Sequence, residues 1–309
     1  MMSNSQFILA ISIIAVLLVI PLIVAGLVRW LIKDEPPEAE TVAVEPPSQF
    51  NSLRDFWESN VPHLLELRDR IIKAFAGIMV GAILGSYVVF AQPFGTPIID
   101  FLAQHFLGES WQQRLQTVGT AELFVSYMSL ALVIGVAVAM PVLVYQIVAF
   151  FAPGLYANEK RVVFTVLPFV FELFVAGLVF GWFFTVPSAI NFLANFGSNS
   201  KAVQIQPTVS DFLDIISRLL LWNGVIFELP AIIYLLARIG VVNAQMLSRT
   251  RRYAIVVIVI IAAVITPTGD PFNLMLLAVP MYALYEMGIF LARLVPKKQD
   301  ALAPASVGD

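Results

Sequence analysis

The groups best suited to chemistry in this 309-residue chain are carboxylates set among arginines. In Asn60–Lys73, NVPHLLELRDRIIK, the residues His63, Glu66, Arg70 and Lys73 recur at helical spacing. Asn60 is a capping residue there, and Pro62 sits where a first-turn proline is tolerated. Glu66 and Arg70 stand four apart, so an interfacial helix with an i, i+4 ion pair accounts for the spacing by itself. Further on, FFAPGLYANEKR makes a Pro-Gly turn and presents Glu159 beside Lys160 and Arg161. Its plainest reading is a turn flanked by membrane-facing positives. Two loop carboxylates at one membrane face can also grip guanidinium groups through bidentate, charge-assisted hydrogen bonds, the chemistry needed to read arginines on a partner.

Two more carboxylates, Glu172 and Glu228, lie inside apolar runs. An uncompensated charge at mid-bilayer costs at least ~2.5 kcal/mol, so both must face protein or water. Each is about ten residues from the cytoplasmic end of its run, ~15 Å deep by helix rise, and the two share a polar cavity if their helices are neighbours. Asp270 falls in the turn TPTGDP between the last two short helices, where Pro267, Thr and Gly already explain a tight connection. The chain has no cysteine, and its two histidines, His63 and His105, lack the one-turn spacing of a zincin, so neither thiolate chemistry nor a metal centre is expected. An intramembrane protease would need paired aspartates or a Ser and His within the spans. No catalytic residue and no cofactor is expected.

The elements that must hold these groups follow from composition. Hydrophobic residues make up 59% of the chain and charged residues only 13%, about half the charged share of a soluble domain. Seven apolar runs emerge: Phe7–Trp30, Ala74–Phe90, Leu123–Phe151, Val162–Val186, Ile215–Ala237, Tyr253–Ile265 and Leu274–Ala292. They are apolar on every side rather than alternating, which predicts an all-α polytopic membrane protein and not a barrel. The sixth run extends only ~20 Å and is too short for a full span. Of the 18 Lys and Arg, only Arg114, Lys201 and Arg218 fall on one side of this topology. The others crowd the opposite side, which predicts seven spans, an external N-terminus and a cytoplasmic C-terminus. Scattered positives at a net charge of −3 do not form a nucleic-acid-binding face.

The first run lacks a positive n-region and a small-residue cleavage site, so residues 1–32 read as a retained anchor. Residues 33–59 read as a cytoplasmic linker: Asp34–Ser48 carries Pro36, Pro37, Pro46 and Pro47 with five acidic residues, a composition that cannot bury a core. A membrane domain then spans 60–295, and 296–309 forms a cytoplasmic tail. Pro141, Pro168, Pro230 and Pro280 are expected to kink helices. A proton-coupled small-solute transporter is the competing reading, prompted by Glu172 and Glu228. Such a transporter often shows an internal repeat, and none is visible here.

HLLELRDR, PVLVYQIVAFFAPGLYANEKR, FELP and ITPTGDPFNLMLLAVPMYALYE occur here in an order and spacing that resemble TatC, the Sec-independent translocase protein family, over about Val61–Arg293. The resemblance implies a six-helix receptor shaped like a cupped hand in a prokaryotic cytoplasmic membrane, preceded here by one extra helix. It implies binding of twin-arginine signal peptides of folded proteins, work with single-span TatA- and TatB-type partners, oligomeric assembly and dependence on the proton gradient. It places signal contact at Glu66 and Glu159, with His63, Leu67, Arg68, Arg70, Pro153, Tyr156 and Arg161 as supporting positions. Glu228 of FELP matches an intramembrane glutamate of the family, Asp270 gains weight from the match, and Glu172 has no counterpart.

Overall fold

The structure, a computed structural model, describes residues 53–91, 97–108, 115–151, 157–195, 207–238 and 240–295. The expected first span, most of the linker and the tail lie outside them. Eleven elements follow in chain order: α1 (Leu53–Phe90), α2 (Ile98–Leu107), α3 (Thr120–Phe151), α4 (Ala157–Phe180), a π-helical turn (Gly181–Thr185), α5 (Val186–Asn195), α6 (Val209–Phe227), α7 (Leu229–Arg238), α8 (Ala244–Arg249), α9 (Arg251–Ile265) and α10 (Pro271–Arg293). No strand occurs among the described residues; a single parallel bridge, Gln116 to Thr208, ties the loop before α3 to the start of α6. Five stretches are long and apolar enough to cross a membrane: Leu64–Phe90, Ala121–Met140, Phe169–Asn195, Val209–Arg238 and Pro271–Arg293. The chain is an all-α, multi-pass membrane protein.

Three sequence expectations need adjustment. No separate interfacial helix begins at Asn60: α1 is one helix of 38 residues from Leu53, because LRDFWESN contains no Gly or Pro to stop it. Pro62 is therefore interior and removes one intrahelical hydrogen bond rather than opening the helix. The last helix, with 23 residues, is a full span and not short, whereas the sixth, α9, has 15 and extends only ~22 Å. Pro187, which drew no attention in the sequence, sits at the one π-helical turn of the described helices. Because Pro187 has no N–H, the ladder cannot continue in α register. The backbone shifts so that the Val186 N–H donates to Gly181 O five residues back.

Packing is decided by where side chains are small. In α1, Gly77, Gly81 and Gly85 form an i, i+4 stripe, and α3 answers with Ala131, Gly135 and Ala139 in antiparallel order. A Cβ at Gly81 would collide with the Gly135 carbonyl, and one at Gly85 with the Ala131 carbonyl, so the two backbones touch. A second close approach pairs Gly177 of α4 with the backbone of Asn223 and Gly224 of α6. The largest buried cluster joins α2, α6, α9 and α10 through Leu102, Phe212, Leu213, Ile216, Ala262 and Leu277. On the face that carries the basic connections, Arg251 pairs with Glu286 at 2.7 Å. Tyr282 donates to the same carboxylate, and Tyr285 donates to Leu247 O, fastening α8 and α9 to α10.

Candidate functional site

Glu66 lies two residues inside the start of the first described span, with its side chain 32% exposed. Arg70 donates to it from Nη2 at 2.6 Å and from Nε at 3.1 Å, and both bonds end on the same oxygen, Oε1. Oε2 has no hydrogen-bond partner among the described residues. Arg68 points elsewhere and pairs with its neighbour Asp69 at 2.9 Å. Leu67 is partly buried between them in sequence. The ion pair read from spacing is thus present, and it does not consume the carboxylate. The backbone of Glu159 and Arg161 runs in the first turns of α4. Their side chains, that of His63, and Pro153 and Tyr156 altogether lie outside the described residues.

Glu228 interrupts the helix that begins at Val209. Pro230 cannot donate, so the turn tightens: Glu228 N–H bonds Val225 O at 3.1 Å and the α-helical ladder resumes with Ile232 N–H to Glu228 O at 2.9 Å. The side chain is only 3% exposed, and neither carboxyl oxygen has a hydrogen-bond partner among the described residues. A deeply buried polar group left in that condition is a candidate for function rather than for stability. One helical turn before it, Asn223 is fully buried and satisfied, donating to Leu219 O at 2.7 Å and accepting from Thr185 of the π turn at 3.4 Å.

The helices bearing Glu172 and Glu228 are neighbours, as the shared-cavity expectation requires. Gly177 against Asn223–Gly224, and Val170 and Leu173 against Ala231, place the two glutamates at one depth. The phase of α4 separates them: Val170, Leu173, Phe174 and Gly177 mark the face turned to α6 and α7, and Glu172 falls roughly 150° away at ~100° per residue. They do not line one cavity.

Asp270 caps α10. Its Oδ2 accepts from Asn273 N–H and its Oδ1 from the Asn273 side-chain amide, each at 2.8 Å, with Pro271 at the first helical position and Gly269 at φ 61° supplying the turn. Pro267 is exposed at the head of this turn. Burial of Asp270 opposes ionisation, but the Asn273 hydrogen bonds outweigh it and hold the carboxyl below its ordinary range. A depressed native value means that the ionised cap stabilises the fold above the unfolded value near pH 4 and that this contribution is lost as pH falls through the native one. Asp270→Ala is expected to cost about 1 kcal/mol at pH 7 and much less at pH 3, read as a difference in thermal midpoint between the two pH values. The cap also borders a cleft lined by Ser188, Asn191, Asn195 and Phe272. Sequence reasoning missed Asn273 and Glu286; each lay within the quoted ITPTGDPFNLMLLAVPMYALYE, one three residues beyond a capping Asp and the other the lone acidic group at the basic end.

A sequence model of the family described as "TatC: Sec-independent protein translocase protein (TatC)" matches residues 62–280. The chain belongs to the TatC family. Relatives carrying the name Sec-independent protein translocase protein TatC include that of Deinococcus radiodurans, 36% identical over 88% of this chain and 98% of its own length. That of Desulforapulum autotrophicum is 35% identical over 77% of this chain and 86% of its own. A crystal structure described as the Twin Arginine Translocase Receptor TatC in DDM superposes at a TM-score of 0.65 with 30% identity, over 75% of this chain and all of that one. This TatC chain is accordingly a component of a protein translocase and not an enzyme.

Proposed function

We propose that this TatC protein is the receptor of the twin-arginine pathway and that Glu66, together with Glu159, holds the paired arginines of a signal peptide. The observation that supports this reading is the Glu66 carboxylate: Arg70 holds it through Oε1, and Oε2 has no hydrogen-bond partner among the described residues, which leaves an acceptor for a second guanidinium near the start of the first described span. His63, Leu67, Arg68, Pro153, Tyr156 and Arg161 are the supporting positions of this reading. The signal's apolar segment then lies along the bundle toward Glu228, while Asp270 serves the fold as a cap. Further elements of the reading are single-span TatA- and TatB-type partners, oligomeric assembly driven by the proton gradient, and a prokaryotic cytoplasmic membrane with the N-terminus outside and the C-terminus in the cytoplasm. The excess of Lys and Arg on one side supports that orientation.

Site-specific photocrosslinking of a twin-arginine signal peptide to the purified protein tests the assignment. The crosslink is expected to require both Glu66 and Glu159 and to vanish when the peptide's arginines become lysines, which cannot form the planar two-bond grip. Equal labelling of wild type, Glu66→Ala and Glu159→Ala would reject the site.

A further inference from the structure

On the face that carries the basic connections, α8 meets α9 at Thr250, and Arg249, Arg251 and Arg252 crowd that elbow. Arg251 is engaged within the fold: it pairs with Glu286 at 2.7 Å, and the other Glu286 oxygen accepts from Tyr282. Arg249 and Arg252 are exposed and have no carboxylate partner among the described residues. Arg252 lies in the first turn of α9, where a positive charge opposes the helix dipole, so helix stability does not account for it.

The local backbone sets the two free arginines side by side. Thr250 N–H bonds Met246 O at 3.1 Å, and Thr250 O accepts from Ala254 N–H at 3.0 Å. Arg249 and Arg252 are therefore three residues apart on a nearly continuous helical path, about 5–6 Å between β-carbons. The Arg252 guanidinium stacks over the Tyr253 ring, 4.9 Å from its centroid, which steadies the group while its N–H edge stays open. One phosphate fits between two guanidiniums so placed.

What that phosphate belongs to follows from the surface beneath it. Tyr253, Val256, Ile260 and Val264 recur along one side of α9, and all four are exposed. The strip runs from the elbow into the bilayer, with a tyrosine at the interface depth such residues prefer. A ligand that covers both parts has a phosphate above and hydrocarbon below, which describes a phospholipid. Two uncompensated positive charges favour a headgroup that carries no ammonium of its own.

We propose that the α8–α9 elbow binds the headgroup phosphate of an anionic phospholipid between Arg249 and Arg252, with the acyl chains along Tyr253, Val256, Ile260 and Val264. The site is independent of the receptor reading, because it uses neither Glu66 nor Glu159.

The chain has no native cysteine, so Gln245→Cys, exposed on α8 one turn before Arg249, takes a single bimane label in the full-length protein. Its quenching is measured in phosphatidylcholine vesicles that contain a small share of phosphatidylglycerol or phosphatidylcholine, each spin-labelled near the top of one acyl chain. An arginine near a membrane surface changes anionic-lipid affinity roughly fivefold, so phosphatidylglycerol is expected to quench severalfold better. Arg249→Gln combined with Arg252→Gln should bring the two lipids close to equality. Lys73→Gln, which removes a positive charge from α1, should leave the preference as it was, and inorganic phosphate at constant ionic strength should not displace the lipid. Equal quenching in the wild type, or a preference that survives the double substitution, would overturn the proposal. So would an equal loss in Lys73→Gln, which marks general surface charge, or displacement by inorganic phosphate, which marks a free-anion site.

Discussion

Replacing Glu66 with alanine is expected to weaken binding of a twin-arginine peptide about tenfold, whereas replacing Arg70 with alanine leaves binding intact or tightens it. The signs differ for a physical reason. A hydrogen bond to a charged group contributes about 1.5–3 kcal/mol, and the partial exposure of Glu66 puts its share near the lower end, close to one decade in Kd. Arg70 competes for the same carboxylate through Oε1. Its removal frees that oxygen, so a peptide guanidinium can take both. Titration of a fluorescent signal peptide against wild type, Glu66→Ala and Arg70→Ala in detergent decides the matter. If Arg70→Ala falls as far as Glu66→Ala, the pair acts as a structural unit and Glu66 is not a ligand in its own right.

The second large effect is on folding. Gly81→Leu or Gly135→Leu is expected to prevent α1 from seating on α3. At both positions even a β-carbon would overlap the facing backbone, and backbone cannot rotate out of the way as a side chain can. Overpacking of an ordinary core costs about 1–3 kcal/mol; here the added bulk meets main chain along a whole stripe, so the cost exceeds that range. Recovery of monodisperse protein from membranes should fall severalfold, and Gly81→Ala should show an intermediate loss with a lowered thermal midpoint. Gly119 is the matched control, since nothing lies within 4 Å of a β-carbon there and its backbone is not in the left-handed region. Equal recovery of Gly81→Leu and wild type would mean that the helices do not touch along this line.

Most of the architecture could be read from apolar run lengths, because a bilayer allows few ways to satisfy a backbone, and every described run is a helix close to its expected place. What could not be read depended on packing partners. The Glu66–Arg70 pair follows from spacing alone, whereas the separation of Glu172 from Glu228 needs the phase of α4 against α6, which one helix's sequence does not carry. The π turn at Pro187 was legible in principle, since a proline within a span must shift or break the ladder. The stripe of Gly77, Gly81 and Gly85 was also plain in the sequence, but its meaning came from the answering alanines and glycine of α3. The start of α1 was misplaced because a capping Asn and a Pro suit a first turn equally well when what precedes them is unknown.

The α1–α3 contact has a consequence for biosynthesis. Its two strips of small residues lie between Gly77 and Ala139, in the two earliest spans of the bundle to be made, and the backbones meet without help from any later helix. A nascent chain released into the bilayer as far as Phe151 already possesses everything this hairpin requires. It can close before α6 and α10 are translated, so the remaining spans are added to a preassembled pair rather than sorted among loose helices.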